Sequence, residues 1–167
     1  LYYICTVFKK AFLIAAFVLS FALVSCESDK ALSIVNQEKA IDTYITSKYP
    51  NNEVVRNGGS NRIIISRDSS RMMPKIAKGD SAYIYYRGYV FTNSPSTLFA
   101  EDSAFVKVGS GKLIPGLDNG LVDAELGEES LILFSAKYGY YDQSVGLVPS
   151  MSALMFDVFV SMIKKNN

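Results

Sequence analysis

Apolar residues recur at near-helical spacing from Ala31 to about Lys48, at Ile34, Val35, Ile41, Tyr44 and Ile45, with Glu38 among them. That spacing predicts one amphipathic helix, ended by Pro50-Asn51-Asn52. Two short β-branched runs, Glu53–Arg56 and Asn61–Ser66, flank Asn57-Gly58-Gly59-Ser60. Such runs across an Asn-Gly turn predict a hairpin. Arg67–Gly79 is polar and contains Pro74, so it reads as a loop or an edge segment. From Ser81 to Val90 the pattern changes to period two. Ala82, Ile84, Tyr86 and Gly88 alternate with Tyr83, Tyr85, Arg87 and Tyr89, which is a strand with two distinct faces. Phe91–Leu98 reads as a loop and Phe105–Val108 as a short strand. Gly109–Gly111 is a turn leading to a short helix over Leu117–Ala124, with Leu117, Leu121 and Val122 toward one side. Glu129–Ser135 and Leu154–Met162 complete the strands, and Leu154, Phe156, Val158 and Val160 share a face. A short helix lying across a curved antiparallel sheet, with an extra N-terminal helix, is an α+β roll.

The N-terminal residues carry a different pattern. Lys9-Lys10 precedes the apolar run Ala11–Val24, a positive cluster ahead of a hydrophobic stretch as in a secretory signal. The run is shorter than the ~18–20 residues a spanning helix requires. It closes on Leu23-Val24-Ser25-Cys26, which resembles the bacterial lipobox. In that motif the residue before the cysteine is small and the cysteine becomes the lipidated terminus. Polar Glu27-Ser28-Asp29-Lys30 follows, as a tether would. The expected organisation is a lipoprotein signal peptide over 1–25, then lipidated Cys26 with its tether and helix over 26–50, then a folded domain over 51–167. The alternative is an uncleaved anchor with an incidental cysteine. The lipobox resemblance implies a bacterial cell-envelope location held to the membrane through Cys26. The outer membrane is the expected address, with the periplasmic or surface side left open. Leu1–Phe8, itself apolar, is set aside from the fold.

Composition narrows the chemistry. With 17 Lys and Arg against 16 Asp and Glu, the chain lacks the basic footprint of a nucleic-acid binder. There is no His and no Trp, and the cysteines are Cys5 and Cys26. The folded domain therefore has no thiol nucleophile, disulfide or His-based metal site. Ser/His/Asp and Cys/His catalysis are excluded. No metal and no cofactor is expected, and catalysis must come from hydroxyls, carboxylates, backbone groups or the shape of a pocket.

Four blocks point to a family. Lys78-Gly79-Asp80 precedes a strand that reads Tyr85-Tyr86-Arg87-Gly88. Val108-Gly109-Ser110-Gly111-Lys112 runs into Leu113-Ile114-Pro115-Gly116-Leu117. Ala136-Lys137-Tyr138-Gly139-Tyr140 comes third, and Val148-Pro149 with Leu154-Met155-Phe156-Asp157-Val158 closes the series. In order, spacing and strand parity, the stretch 78–162 resembles the FKBP-type peptidyl-prolyl cis-trans isomerases. An unrelated α+β roll could share glycine turns for backbone reasons alone, but not all four blocks.

The resemblance implies an apolar cup between the short helix and the concave sheet face. Its matched catalytic positions are Tyr86, Phe99, Ile114, Tyr140 and Phe156, and its matched substrate-binding positions are Val106, Leu113, Leu117 and Val148. The backbone N–H at Ile114 and the hydroxyl at Tyr140 are implied hydrogen-bond donors to substrate. Proline-containing polypeptides are the implied substrates, and assistance to folding envelope proteins the implied role. Apolar strand residues are more often plain core, so Tyr86 and Tyr140, with hydroxyls beside apolar surface, are the more specific of the set. This sequence also departs from the family. Leu117 replaces the usual aromatic floor. Phe99-Ala100 stands where a Phe-Asp pair is usual, leaving Glu101 or Asp102 to supply a carboxylate. Phe105 falls one residue out of register at Ala104, which a bulge would restore. Tyr141 stands where the family has Gly. Two further readings follow. One is a non-catalytic module that binds Pro-containing or extended segments. The other is a structural domain whose N-terminal helix is the partner surface.

Overall fold

The computed structural model describes residues 29–166. The expected signal peptide and Cys26 lie outside the described residues. Helix α1 covers residues 29–48 and is followed by the hairpin β1 (Val54–Asn57) and β2 (Ser60–Ser66). Next come β3 (Ser81–Phe91), β4 (Pro95–Lys107), helix α2 (Pro115–Leu121) and β5 (Glu129–Phe134). A 3₁₀ turn over Ala136–Tyr138 and the long strand β6 (Ala153–Lys164) end the chain. The six strands form one sheet in the order β1-β2-β5-β6-β3-β4. Every neighbouring pair is antiparallel.

A helix packs on each face of the sheet, and α1 leaves Tyr85, Phe105 and Phe159 of the outer face exposed. On the concave face α2 packs Leu117 and Leu121 against Ile84, Ile132, Phe134, Leu154, Phe156 and Val158. The close approach depends on Gly116 and Gly120, one helical turn apart, because a Cβ at either would collide with Phe134 or Ile132 beneath it. On the opposite face α1 sets Ile41 and Ile45 over Ile63, Leu131, Leu133 and Met155. The Tyr44 ring meets Phe91 edge-on at 5.2 Å. Burial, with Tyr49 beside it, pushes the Tyr44 hydroxyl up to about 12. The period-two alternation of β3 and β6 thus separates two cores, one under each helix.

Two expectations are corrected here. In place of the expected loop over Phe91–Leu98 and short strand over Phe105–Val108, β3 runs on to Phe91, a tight turn follows, and the 13-residue strand β4 covers Pro95–Lys107. β4 is an edge strand whose apolar residues do not alternate, with Leu98 and Phe105 exposed, so the period-two signal of a strand is missing although its backbone pairs with β3. The short helix begins at Pro115, two residues before the expected start. Proline's fixed φ suits the first helical position, where its missing N–H costs nothing. The helix ends at Leu121 because Val122 is extended and Asp123 takes φ +62°.

Lys78-Gly79-Asp80 has a structural reason. The Asp80 carboxylate accepts hydrogen bonds from the Ala77 N–H at 2.8 Å, the Lys165 Nζ at 2.7 Å and the Asn166 N–H at 3.0 Å. The Val108 N–H donates to the Asp80 carbonyl at 2.9 Å. The carboxylate therefore ties the start of β3 to the chain just beyond β6, and the Asp80 carbonyl ties it to the chain just beyond β4. The Lys165 ammonium, followed by the two backbone donors, holds the Asp80 carboxyl down to about 2. A carboxylate lowered in this way stabilises the fold above its ordinary value, near ~4. That contribution is lost as pH falls through about 2. Thermal midpoints measured against pH are therefore expected to fall across this acid window in the native chain. In Asp80→Asn they are expected to be lower at neutral pH and flatter across the window.

Candidate active site

β3 and β6 lie side by side in the sheet, with Tyr86 opposite Val158 and Gly88 opposite Phe156. β4 flanks β3, with Tyr86 opposite Asp102 and Gly88 opposite Ala100. The sheet register then slips, since Tyr89 pairs with Leu98. Phe99 is the extra residue of this bulge, and its ring lies over Gly88, where a Cβ would come within 2.8 Å of it. The bulge thus turns Phe99 onto the concave face. This corrects the expectation of a bulge at Ala104. Ala104 itself packs on the concave core, while Phe105 points outward and is 54% exposed.

All the expected cup residues come together. Val106, Leu117, Val148 and Phe156 are buried in one cluster, and Tyr86, Phe99, Leu113, Ile114 and Tyr140 pack against it while keeping some exposure. Phe156 is the hub. Its ring stacks on Phe134 at 5.9 Å, meets Phe99 edge-on at 5.7 Å and lies tilted to Tyr86 at 6.2 Å. Leu117, only 5% exposed, closes the floor from α2. Val106 reaches the floor from β4 and Val148 from the loop before β6.

The polar groups of the cup are few and unengaged. Ile114 caps α2, and its carbonyl accepts the Asp118 N–H at 3.0 Å. The Ile114 N–H donates to no partner among the described residues. Neither the Tyr86 nor the Tyr140 hydroxyl is bonded to a described residue. Burial raises the Tyr86 hydroxyl above its ordinary pKa, and the neighbouring Asp102 carboxylate and Tyr140 add to the rise. Of the two carboxylates weighed as substitutes at Ala100, it is Asp102 that stands beside Tyr86. Glu101 lies on the outer face, opposite Arg87. The cup holds donors without a strong base, a nucleophile or a cation.

The rim is a loop from the 3₁₀ turn to the start of β6, and it carries Tyr140 and Val148. Tyr141 takes φ +54° and so does Met151. That region suits glycine and costs other residues about 1–2 kcal/mol, which accounts for Gly at the Tyr141 position in the family. Here the loop is cross-linked: the Tyr141 N–H donates to Ala136 O at 2.9 Å, and the Met151 N–H to Tyr141 O at 2.7 Å.

A sequence profile for the FKBP-type peptidyl-prolyl cis-trans isomerases matches residues 73–161. The chain belongs to this family. FK506-binding protein 1 of Aspergillus oryzae is 32% identical over 112 residues, which span 60% of this chain and 94% of that protein. A peptidyl-prolyl cis-trans isomerase of Schizosaccharomyces pombe is 35% identical over 104 residues, covering 60% of this chain and 90% of its own. FK506-binding protein 2 of Podospora anserina is 36% identical over 83 residues, and the match spans only 45% of that longer protein. Among solved structures, the N-terminal domain of FKBP42 from Arabidopsis thaliana has a TM-score of 0.59 at 20% identity. It covers 69% of this chain and 94% of its own. The three FKBP domains of wheat FKBP73 give a TM-score of 0.59 at 16% identity, covering 69% of this chain and 50% of that one. At such identity the structures speak for the fold, which is the FKBP roll. The activity class of the family is peptidyl-prolyl cis-trans isomerisation, and its substrates are proline-containing polypeptides.

Sequence reasoning missed Arg62, Glu128 and Gln37. Arg62 and Glu128 form a buried ion pair beneath α2; 66 residues separate them, so nothing local signals the pairing. Gln37 had a faint signal, as a polar residue within the apolar stripe Ile34, Ile41, Tyr44 and Ile45.

Proposed function

We propose that the concave cup catalyses X–Pro isomerisation by favouring the twisted amide. The planar amide is a resonance structure with a barrier of ~18–20 kcal/mol. Twisting it uncouples the nitrogen lone pair from the carbonyl and reduces charge separation. An apolar surface of Phe99, Leu113 and Ile114, backed by Leu117, Val148 and Phe156, then penalises the planar ground state more than the twisted transition state. The Ile114 N–H and the Tyr140 and Tyr86 hydroxyls hold the flanking peptide while the bond turns. A thousandfold acceleration requires only ~4 kcal/mol, and no charged catalyst is needed.

The observation that carries this reading is the convergence of unengaged donors at Tyr86, Ile114 and Tyr140 on one apolar aromatic cluster. A protease-free isomerisation assay on Xaa–Pro peptides, using the full chain in mild detergent, tests it. Acceleration for at least some Xaa is expected, and none for any Xaa would leave only binding without turnover. Tyr86→Phe removes one hydroxyl and keeps the ring. A hydrogen bond of ~0.5–1.5 kcal/mol corresponds to a loss of about two- to tenfold in kcat/KM, and the thermal midpoint is expected to stay within a degree or two.

We further infer that the domain is displayed on a membrane of a bacterial envelope through lipidated Cys26, where it assists the folding of envelope proteins. The support is the sequence pattern of Lys9-Lys10, the apolar run and Ser25-Cys26. Firm attachment takes two or more acyl chains, since one holds marginally. Cell fractionation compares the native chain with Cys26→Ala. Movement of the variant from membrane to soluble fraction is expected, and unchanged membrane retention would favour the uncleaved anchor.

A further inference from the structure

α1 does more than cover the outer face of the sheet. One side-chain amide on its inner surface reaches both ends of the rim loop. The Ala136 N–H donates to Gln37 Oε1 at 2.8 Å. Gln37 Nε2 donates to Met151 O at 2.7 Å. Ala136 opens the loop and Met151 closes it. Between them stand Tyr140 and Val148, both on the cup. The two contacts use opposite ends of the amide, one accepting and one donating, so a carboxylate of the same reach satisfies only one of them.

The same loop is held from α1 at two further points. Lys30 Nζ pairs with Asp142 at 3.0 Å and lies 5.6 Å from the centre of the Tyr141 ring. The Ser135 hydroxyl donates to Glu38 at 3.3 Å. Within the loop, the non-glycine residues with positive φ, Tyr141 and Met151, are hydrogen-bonded to each other. Residues in such a conformation persist only where their surroundings fix them. Gln37 supplies that fixing at Met151, from a helix outside the sheet.

We infer that Gln37 is a positioning residue of the isomerase site: its amide closes the rim loop and so sets Tyr140 and Val148 over the cup. The inference rests on the cup being the site of isomerisation. It makes α1 part of the catalytic apparatus although no residue of α1 lines the cup. It also makes the placement of Tyr140 depend on how α1 is docked.

The test is a double-mutant cycle in kcat/KM on Xaa–Pro peptides, with the full chain in mild detergent. Gln37→Ala is expected to lower kcat/KM about tenfold. In a Tyr140→Phe background the same change is expected to lower it no more than two- to threefold, because the hydroxyl it positions is already gone. In a Tyr86→Phe background the tenfold effect should persist, since β3 holds Tyr86 independently of the loop. Gln37→Glu keeps the acceptor but sets a carboxylate against the Met151 carbonyl, and should fall at least as far as Gln37→Ala. Asp80→Asn provides the control for stability: it loosens the start of β3, away from α1 and the rim loop, and should lower the thermal midpoint while leaving kcat/KM within twofold. An active native chain whose Gln37 variants keep full kcat/KM overturns the inference alone. So does an equal loss in all three backgrounds, which marks general destabilisation. A native chain inactive on every peptide overturns the reading of the cup, and the role of Gln37 falls with it.

Discussion

Glu128→Ala is expected to cost about 3–5 kcal/mol of stability, the scale of a buried charge stripped of its partner, and to lower the thermal midpoint by roughly 10 °C. The Arg62 and Glu128 side chains are 2% and 0% exposed, and they pair directly. Arg62 also donates to the Val122 carbonyl at 3.4 Å, and the Glu125 N–H donates to Glu128 at 3.2 Å. The pair therefore ties β2 to the turn before β5 and to the residue that ends α2. Removing the carboxylate leaves a guanidinium in the protein interior whose Nε already lacks a partner. Removing both charges is a different experiment. Arg62→Met combined with Glu128→Leu replaces the pair with apolar volume and is expected to recover most of the loss. Denaturant melts of the three proteins separate the outcomes. Equal loss in the single and double variants would mean that the hydrogen bonds to Val122 and Glu125, rather than the stranded charge, hold this joint.

The same pair shows why some of the fold could be read from the chain and some could not. Local order was legible where burial imposes a period. The alternation of Tyr83 to Tyr89 in β3 and of Leu154 to Val160 in β6 marks strands with one face in the concave core and Tyr85, Arg87 and Phe159 turned outward. Gly58-Gly59 marks the hairpin between β1 and β2. The cup was legible for a further reason: its residues lie in ordered sequence blocks whose turns fix their spacing. What escaped depends on partners far along the chain. The apolar residues of β4 do not alternate, since Leu98 and Phe105 are exposed on this edge strand and a bulge falls at Phe99, and its existence rests on backbone pairing with β3. The bulge at Phe99 follows from the mismatch between that pairing and the space above Gly88. The face that α1 covers is decided by Ile63, Leu131 and Met155, three separate strands whose outward positions form one patch only after the sheet closes. Gln37 follows from that docking, since its partners are 99 and 114 residues away.

Phe156→Ala carries the other large effect, because one ring serves both stability and chemistry. Phe156 is 3% exposed, so a substrate can touch little of it. Its role in the cup is to set the rings around it: Phe99, Tyr86 and Phe134 all lie within 6.2 Å of its centre. Deleting the ring removes its burial energy and leaves a cavity, at a cost of about 3–5 kcal/mol. Tyr86 and Phe99 then lose the surface they lean on, and kcat/KM is expected to fall at least tenfold even well below the melting temperature. Phe156→Leu fills much of that space and should lose less of both quantities. The two losses are expected to move together across Ala, Leu and the native ring, as they must if Phe156 acts by supporting its neighbours. A variant that retained stability but lost turnover would instead make Phe156 a direct substrate contact. That outcome would require the cup to open far enough to expose a side chain now packed between β3, β5 and α2, and hydrogen exchange at Gly88 and Ile132, the residues opposite it on the neighbouring strands, would register such an opening.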